Sequence, residues 1–291
     1  MTKDPFAEEP TTKRSNKDSN ICALLKGDEN TLKTGIAMDC RSESQIAAHE
    51  KIYVIDPMGT TFPIWNGHWG GSDDIIIHRP IERNIVALDG GKRKKEIDFE
   101  GTFDNIYSTI IDIEEAIEGG EIVAGVIFEG LDSLRQDAAN AMREHVDLEV
   151  DDGVNFKYWN LRNKYYDDVI RAMIELPCPK YFTTHLKEHK VRSATKKDDK
   201  GEALITSAFV DADMGLKTKD AMLQIIECSK SKSPDGIITY NAHIEEFKSK
   251  PEFEGKDFTT MITGSGEFTY YGLGILRDDA NVENRQLDAL F

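Results

Sequence analysis

The segment ICALLKGDENTLKTGIA, residues Ile21 to Ala37, decides how this chain reads. An apolar run stops at Gly27 and resumes after Lys33 and Thr34. A phosphate-binding loop needs a buried strand, a tight turn whose backbone N–H groups point inward, and a helix that opens with Lys and a hydroxyl residue. All three parts occur here in that order. The usual spacing is Gly, four residues, Gly, Lys, then Ser or Thr. Gly27, Lys33 and Thr34 keep their places, and Leu32 stands where the second glycine belongs. The candidate nucleotide loop is therefore Gly27, Asp28, Glu29, Asn30, Thr31, Leu32, Lys33 and Thr34. An ordinary strand-turn-helix without a ligand is the competing reading.

Size and charge narrow the classes. A chain of 291 residues suits one large α/β domain with a sizeable apolar core. Its net charge of −17 disfavours a wholly basic protein that coats nucleic acid, because phosphates would repel most of the surface. A local basic strip remains compatible with DNA. The four cysteines, Cys22, Cys40, Cys178 and Cys228, lie far apart and mostly within apolar runs, which reads as reduced core thiols without zinc or disulfides. No apolar stretch approaches the roughly 20 residues that span a bilayer, and no signal-peptide core opens the chain.

Downstream of the loop the pattern alternates strands and helices. Residues 1–19 are polar and charged and read as a flexible tail. Lys33 to about Glu50 carries Ile36, Ala37, Cys40, Ile46 and Ala47 at spacings that predict one amphipathic helix. Lys51 to Pro57 reads as a strand closed by Asp56, and Ile75 to His78 as another. Between them Trp65, His68 and Trp69 mark an aromatic-rich loop. Gly90 to Lys95 reads as a turn and a solvated basic patch. Thr102 to Glu118 has helical periodicity and stops at Gly119 and Gly120.

The run IVAGVIFEGLDSL, Ile122 to Leu134, reads as a buried strand ending in Glu129, with a second acid at Asp132. A carboxylate at the tip of a strand beside a phosphate loop is where a nucleotide hydrolase holds Mg²⁺ or its water ligands. Asp147 to Asp152 reads as an acidic loop, and Trp159 to Leu176 as a helix stopped by Pro177 and Pro179. Lys180 to His185 is a short strand with a polar end at Thr183, Thr184 and His185. His185 to Lys200 has a Lys/Arg excess and no apolar face. It reads as a mobile loop and as the first choice for nucleic-acid contact, with Lys92 to Lys95 second. Apolar runs follow at Ala203–Val210, Ala221–Cys228, Gly236–Tyr240 and Phe268–Leu276. Without a repeat or a clear linker, the expected organisation is one domain over 20–276 with a polar tail over 277–291.

This order of parts, with Gly27, Lys33-Thr34, IFEGLDSL and YFTTHLKEH as its specific elements, resembles the RecA-like P-loop ATPases. Within them it is most similar to short phage-encoded RecA/RadA-type proteins of single-strand annealing and recombination. The resemblance covers about residues 20–230. It implies an α/β fold with a mostly parallel central sheet flanked by helices, ATP and Mg²⁺ as ligands, a homo-oligomer, single-stranded DNA as partner, and a cytoplasmic place in a virus-infected or microbial cell. By the same likeness Lys33 meets the β- and γ-phosphates and Thr34 the Mg²⁺. Glu129 takes the strand-end acid position, and His185 senses phosphate. Asp132 is a second metal candidate, and Asp56 a water-orienting or metal-linked one. Three departures stand out: Leu32 for glycine, Glu129 where the family usually has Asp, and Pro57-Met58-Gly59 where a catalytic Glu often follows the second strand. The alternative they raise is a nucleotide-binding regulatory or structural module without turnover; an ATP-using kinase or packaging-type motor on the same core is a third reading.

Overall fold

The computed structural model describes residues 21–69, 71–87, 91–148, 153, 155–197, 203–264 and 268–270. The expected tails at 1–19 and 277–291 lie outside these residues, as does the Phe268–Leu276 run beyond Tyr270 and most of the acidic loop.

Strand β1 (Cys22–Gly27) is buried at all six positions, as a strand in the middle of a parallel sheet should be, with Lys26 paired to Asp211 at 2.9 Å and Glu245 at 2.7 Å. It pairs in parallel with β7 (Lys180–Lys197) on one side and β9 (Gln224–Lys232) on the other. Beyond β7 the sheet continues through β6 (Val123–Phe128), β2 (Lys51–Ile55) and β3 (Ile75–His78), all parallel. Beyond β9 it turns antiparallel through β10 (Ile238–Phe247), β11 (Asp257–Thr263) and β12 (Phe268–Tyr270). β7 thus separates the loop strand β1 from the acid strand β6. The expected fold class, a mostly parallel sheet flanked by helices, is the one observed.

Alternate side chains of β1 serve opposite faces. Cys22 and Leu24 join a core with α4 (Phe99–Glu118), α5 (Leu131–His145) and α6 (Trp159–Glu175). Ala23 and Leu25 join a second core that includes Ile36 and Ala37 of α1 (Lys33–Met38), against which Ile64 and Trp65 of α3 (Phe62–Trp69) pack. In α4, Phe103, Ile106, Ile110 and Ile113 are almost fully buried. Each such side chain contributes about 1.5–3 kcal/mol relative to an exposed one. These layers fix the C-terminal ends of β1 and β6 on either side of the Phe182–His185 stretch of β7.

Several expectations are corrected. The single helix over Lys33–Glu50 is two short ones, α1 and α2 (Glu43–Ala47). Ser42 starts α2 with a capping box to Gln45, so the chain turns at Asp39–Arg41 and Ile46 points outward. The aromatic loop is helical: α3 carries Trp65, whose Nε1 donates to the Ser72 carbonyl at 3.0 Å. Lys92–Lys95 is not a loop but leads into β5 (Arg93–Asp98), which pairs with β4 (Glu82–Ala87) as an exposed ribbon. The basic segment after His185 is not a loop either. It extends β7 to Lys197 and pairs antiparallel with β8 (Ala203–Ala212). Lastly, α4 begins at Phe99, three residues early, because Asp98 caps it by accepting from Gly101 N at 2.7 Å.

Candidate functional site

Gly27 ends β1 with His185 of β7 and Cys228 of β9 as its register partners. A Cβ at Gly27 would lie 2.2 Å from the Cys228 carbonyl oxygen and 2.8 Å from Thr31 Oγ1. Only glycine allows the loop to leave the sheet this closely.

The loop then turns through two left-handed residues, Asn30 at φ 58° and Leu32 at φ 65°. Leu32 therefore adopts the backbone conformation that the glycine of the usual spacing supplies without a Cβ penalty. Its side chain packs against Gly35, where a Cβ would meet Leu32 Cδ1 at 3.0 Å. The departure from the motif changes the residue and keeps the turn. Among the described residues, no acceptor is paired with the backbone N–H groups of Asn30, Thr31, Leu32, Lys33 or Thr34. They form the donor-rich mouth of α1.

Lys33 is buried and folds back over the loop. Its Nζ donates to the carbonyls of Gly27 at 3.0 Å and Asp28 at 2.7 Å, with Thr31 Oγ1 at 3.4 Å. Among the described residues it has no carboxylate within ion-pair distance. Burial pushes its pKa down, and the more distant charges of Glu129, Asp132 and Asp28 oppose that only partly.

Glu129 sits at the tip of β6, with its N–H donating to the Ile55 carbonyl. Its Oε2 accepts from Thr34 Oγ1 at 2.7 Å and from Thr183 Oγ1 at 2.8 Å, while Thr183 Oγ1 accepts from Gly130 N at 2.9 Å. Burial pushes the Glu129 pKa up, more than the two hydroxyls pull it down. The site thus holds an ammonium and a carboxylate that are each penalised by desolvation. A metal–polyphosphate supplies the anion that Lys33 lacks and the cation that Glu129 lacks, so the residues present fit a polyphosphate with a divalent cation.

The other candidates gather around this pair. His185 Nδ1 lies 3.0 Å from Asp132 Oδ2, while Asp132 Oδ1 is buried without a hydrogen-bond partner. Asp56 is fully buried at the end of β2. Its carboxylate accepts from Gly59 N at 2.6 Å and Thr61 N at 2.8 Å, closing the turn into α3. Both oxygens are engaged by the backbone, and its charge reaches Glu129 through space. Among the described residues no group of three or more His, Cys, Asp or Glu is arranged to hold a metal alone. Thr183 was missed as a site residue. Its signal in the sequence was its place in the polar end of the Lys180–His185 strand.

No family model and no curated protein matches the chain. Among solved structures, it is similar to a KaiC-like protein from the hyperthermophilic archaeon Pyrococcus horikoshii. That likeness has 11% sequence identity and a TM-score of 0.47, and covers 87% of this chain and 89% of the other.

Proposed function

We propose that residues 20–276 form a RecA-like P-loop domain that binds ATP with Mg²⁺ and hydrolyses it. The observation that carries this reading is the opposition of Lys33, buried at the start of α1, to Glu129, desolvated at the tip of β6, with β1 and β6 separated only by β7 and neither side chain having an ion-pair partner among the described residues. In this role the N–H groups of the loop cradle the polyphosphate, with Lys33 on the β- and γ-phosphates. Thr34 and Glu129 hold the metal, with Asp132 as a second acid. Bound Mg²⁺ neutralises charge that develops on phosphoryl oxygens. His185, oriented by Asp132, stands beside Gly27 where it senses the terminal phosphate. Asp56 acts by fixing the turn behind Glu129. The resemblance of the sequence adds single-stranded DNA as partner, oligomeric assembly, and a cytoplasmic role in phage or microbial recombination.

The test is calorimetric titration of the full chain with ATP, with and without Mg²⁺, beside a phosphate-release assay. Metal-dependent binding that Lys33→Ala abolishes supports the proposal; equal affinity in wild type and variant sinks it.

A second reading rests on Asp56. With both oxygens held by N–H groups, β2 presents no unengaged carboxylate to activate water. That favours a module that binds nucleotide without turnover, which tight binding with no phosphate release would establish.

A further inference from the structure

The register of the β4–β5 ribbon sorts its side chains onto two faces of opposite character. Residues directly opposite one another in an antiparallel pair share a face, and the faces alternate along each strand. Arg83 stands opposite Ile97, Ile85 opposite Lys95, and Ala87 opposite Arg93. One face therefore carries three cations, two isoleucines and an alanine, with no acid. The other carries Glu82, Asn84 and Val86 beside Asp98, Glu96 and Lys94. That second face is already engaged. Asn105 of α4 donates to Glu82 at 3.1 Å, Asn84 donates to Asp98 at 3.0 Å, and Lys94 pairs with Glu96 at 3.0 Å. On the cationic face, Arg83, Arg93 and Lys95 have no carboxylate at ion-pair distance among the described residues. Ile85 is 63% exposed and Ile97 41%.

The backbone of β5 is open as well. The ribbon is a two-stranded sheet, and among the described residues no backbone group of 93–97 bonds outside it. We propose that β5 accepts, as a third strand, an extended acidic segment of a partner protein, with acids beside Arg93 and Lys95 and an apolar residue beside Ile97. Alternate residues of any strand repeat every ~6.8 Å, so the i, i+2 and i+4 side chains of the segment fall in step with these three. The added backbone supplies hydrogen bonds whatever its sequence, and the alternate side chains set the choice of partner. Opposite charges on neighbouring strands stabilise the pair, and like charges oppose it. Nucleic-acid phosphates would satisfy the cations and leave both isoleucines in water, whereas a strand with acids and an apolar residue answers both. On a chain of net charge −17, an acidic partner is repelled by most of the surface and admitted at a face without acids. This surface makes no use of the nucleotide loop and stands whether or not the loop binds ATP.

The test is isoleucine-methyl NMR of the full chain, titrated with the end-blocked peptide TETETIT and with its reverse, TITETET, which together cover both strand directions. At least one should shift the Ile97 methyl saturably, with an affinity that falls as salt rises. Arg93→Glu with Lys95→Glu should weaken that binding about tenfold or more, since two attractive neighbours become repulsive. The same double variant should take the charge-swapped peptides TKTKTIT or TITKTKT, which wild type should not, and this gain shows that the variant is folded. Lys94→Glu, on the opposite face, should bind the acidic peptide as wild type does, and so should Lys33→Ala. The proposal is overturned if neither acidic peptide moves Ile97, or if Lys94→Glu weakens binding as much as the double variant. It is equally overturned if a DNA duplex or phosphatidylserine vesicles displace the peptide from wild type, or if Ile85 and Ile97 shift with protein concentration alone, which would put a second copy on the ribbon.

Discussion

The Thr34 hydroxyl donates to Glu129 Oε2 at 2.7 Å, joining the first turn of α1 to the tip of β6 across 95 residues of sequence. The two are brought together because β7 lies between β1 and β6 and adds Thr183 to the same oxygen. In the proposed function this shared hydrogen bond marks the place where Thr34 and Glu129 would take one cation.

Glu129→Gln separates stability from metal binding. The Glu129 pKa is raised in the fold, so the folded state binds more protons than the unfolded chain once pH exceeds the ordinary carboxylate range, and stability is lost as pH rises through the raised pKa. The amide removes that penalty and still accepts from Thr34 and Thr183. Thermal unfolding of the ligand-free variant should occur roughly 2 °C or more above wild type at neutral pH. Mg²⁺-dependent ATP affinity should drop about tenfold or more. A variant that melts below wild type would contradict the desolvated-acid account.

Lys33 predicts an alkaline limit on nucleotide affinity. Its pKa is depressed from the ordinary 10.5 by burial, so in the ligand-free protein the charge disappears earlier than for an exposed lysine as pH rises. Phosphate favours the charged form, so affinity should be full below the depressed pKa and decline as pH climbs through it. Titrations with an ATP analogue at increasing pH should show that decline beginning below 10.5. Lys33→Arg should shift the limit upward if its longer side chain still reaches the phosphate.

Leu32 and Gly35 should be energetically coupled. A methyl at Gly35 meets Leu32 Cδ1 at 3.0 Å, Leu32 Cγ at 3.1 Å and Ile64 Cγ2 at 3.4 Å, with Leu32 held at positive φ. Gly35→Ala should destabilise the wild-type background, and Leu32→Gly should relieve the crowding and the left-handed strain while losing packing. A double-mutant cycle by urea unfolding should give a coupling of about 0.5–3 kcal/mol, with the pair better than the sum of the singles. Strict additivity would mean that Leu32 yields freely.

Parts of the fold and site that rest on local pattern were legible in the sequence. β1, β2 and β6 are apolar runs bounded by Gly27, Asp56 and Glu129, and α6 is bounded by Pro177. What was misread depends on partners distant in sequence. The charged segment after His185 has no apolar face, yet pairing with β8 keeps it extended, because ladder hydrogen bonds need no particular side chain. Lys92–Lys95 is the same case on β4. The helix expected through Ile46 broke because Ser42 offers a local cap stronger than the weak stripe it interrupts. Thr183 becomes a site residue only once β7 and β6 are neighbours.

Gly27 should tolerate no side chain, and for a reason that no neighbouring substitution removes. The atom that a Cβ would strike at 2.2 Å is the Cys228 carbonyl oxygen, a backbone atom of β9 in register with Gly27 itself. Thr31 Oγ1, at 2.8 Å, is a side-chain atom and can be deleted. Gly27→Ala should therefore cost about 1–3 kcal/mol or more by urea unfolding, the range of overpacking that forces backbone to move. Adding Thr31→Ala should recover only the smaller part, and Cys228→Ala should recover none, because it leaves the carbonyl in place. This contrasts with Gly35, where the obstruction is a leucine side chain and Leu32→Gly is expected to rescue. Full recovery of Gly27→Ala by Thr31→Ala would show that the loop, and not the β1–β9 backbone approach, requires the glycine.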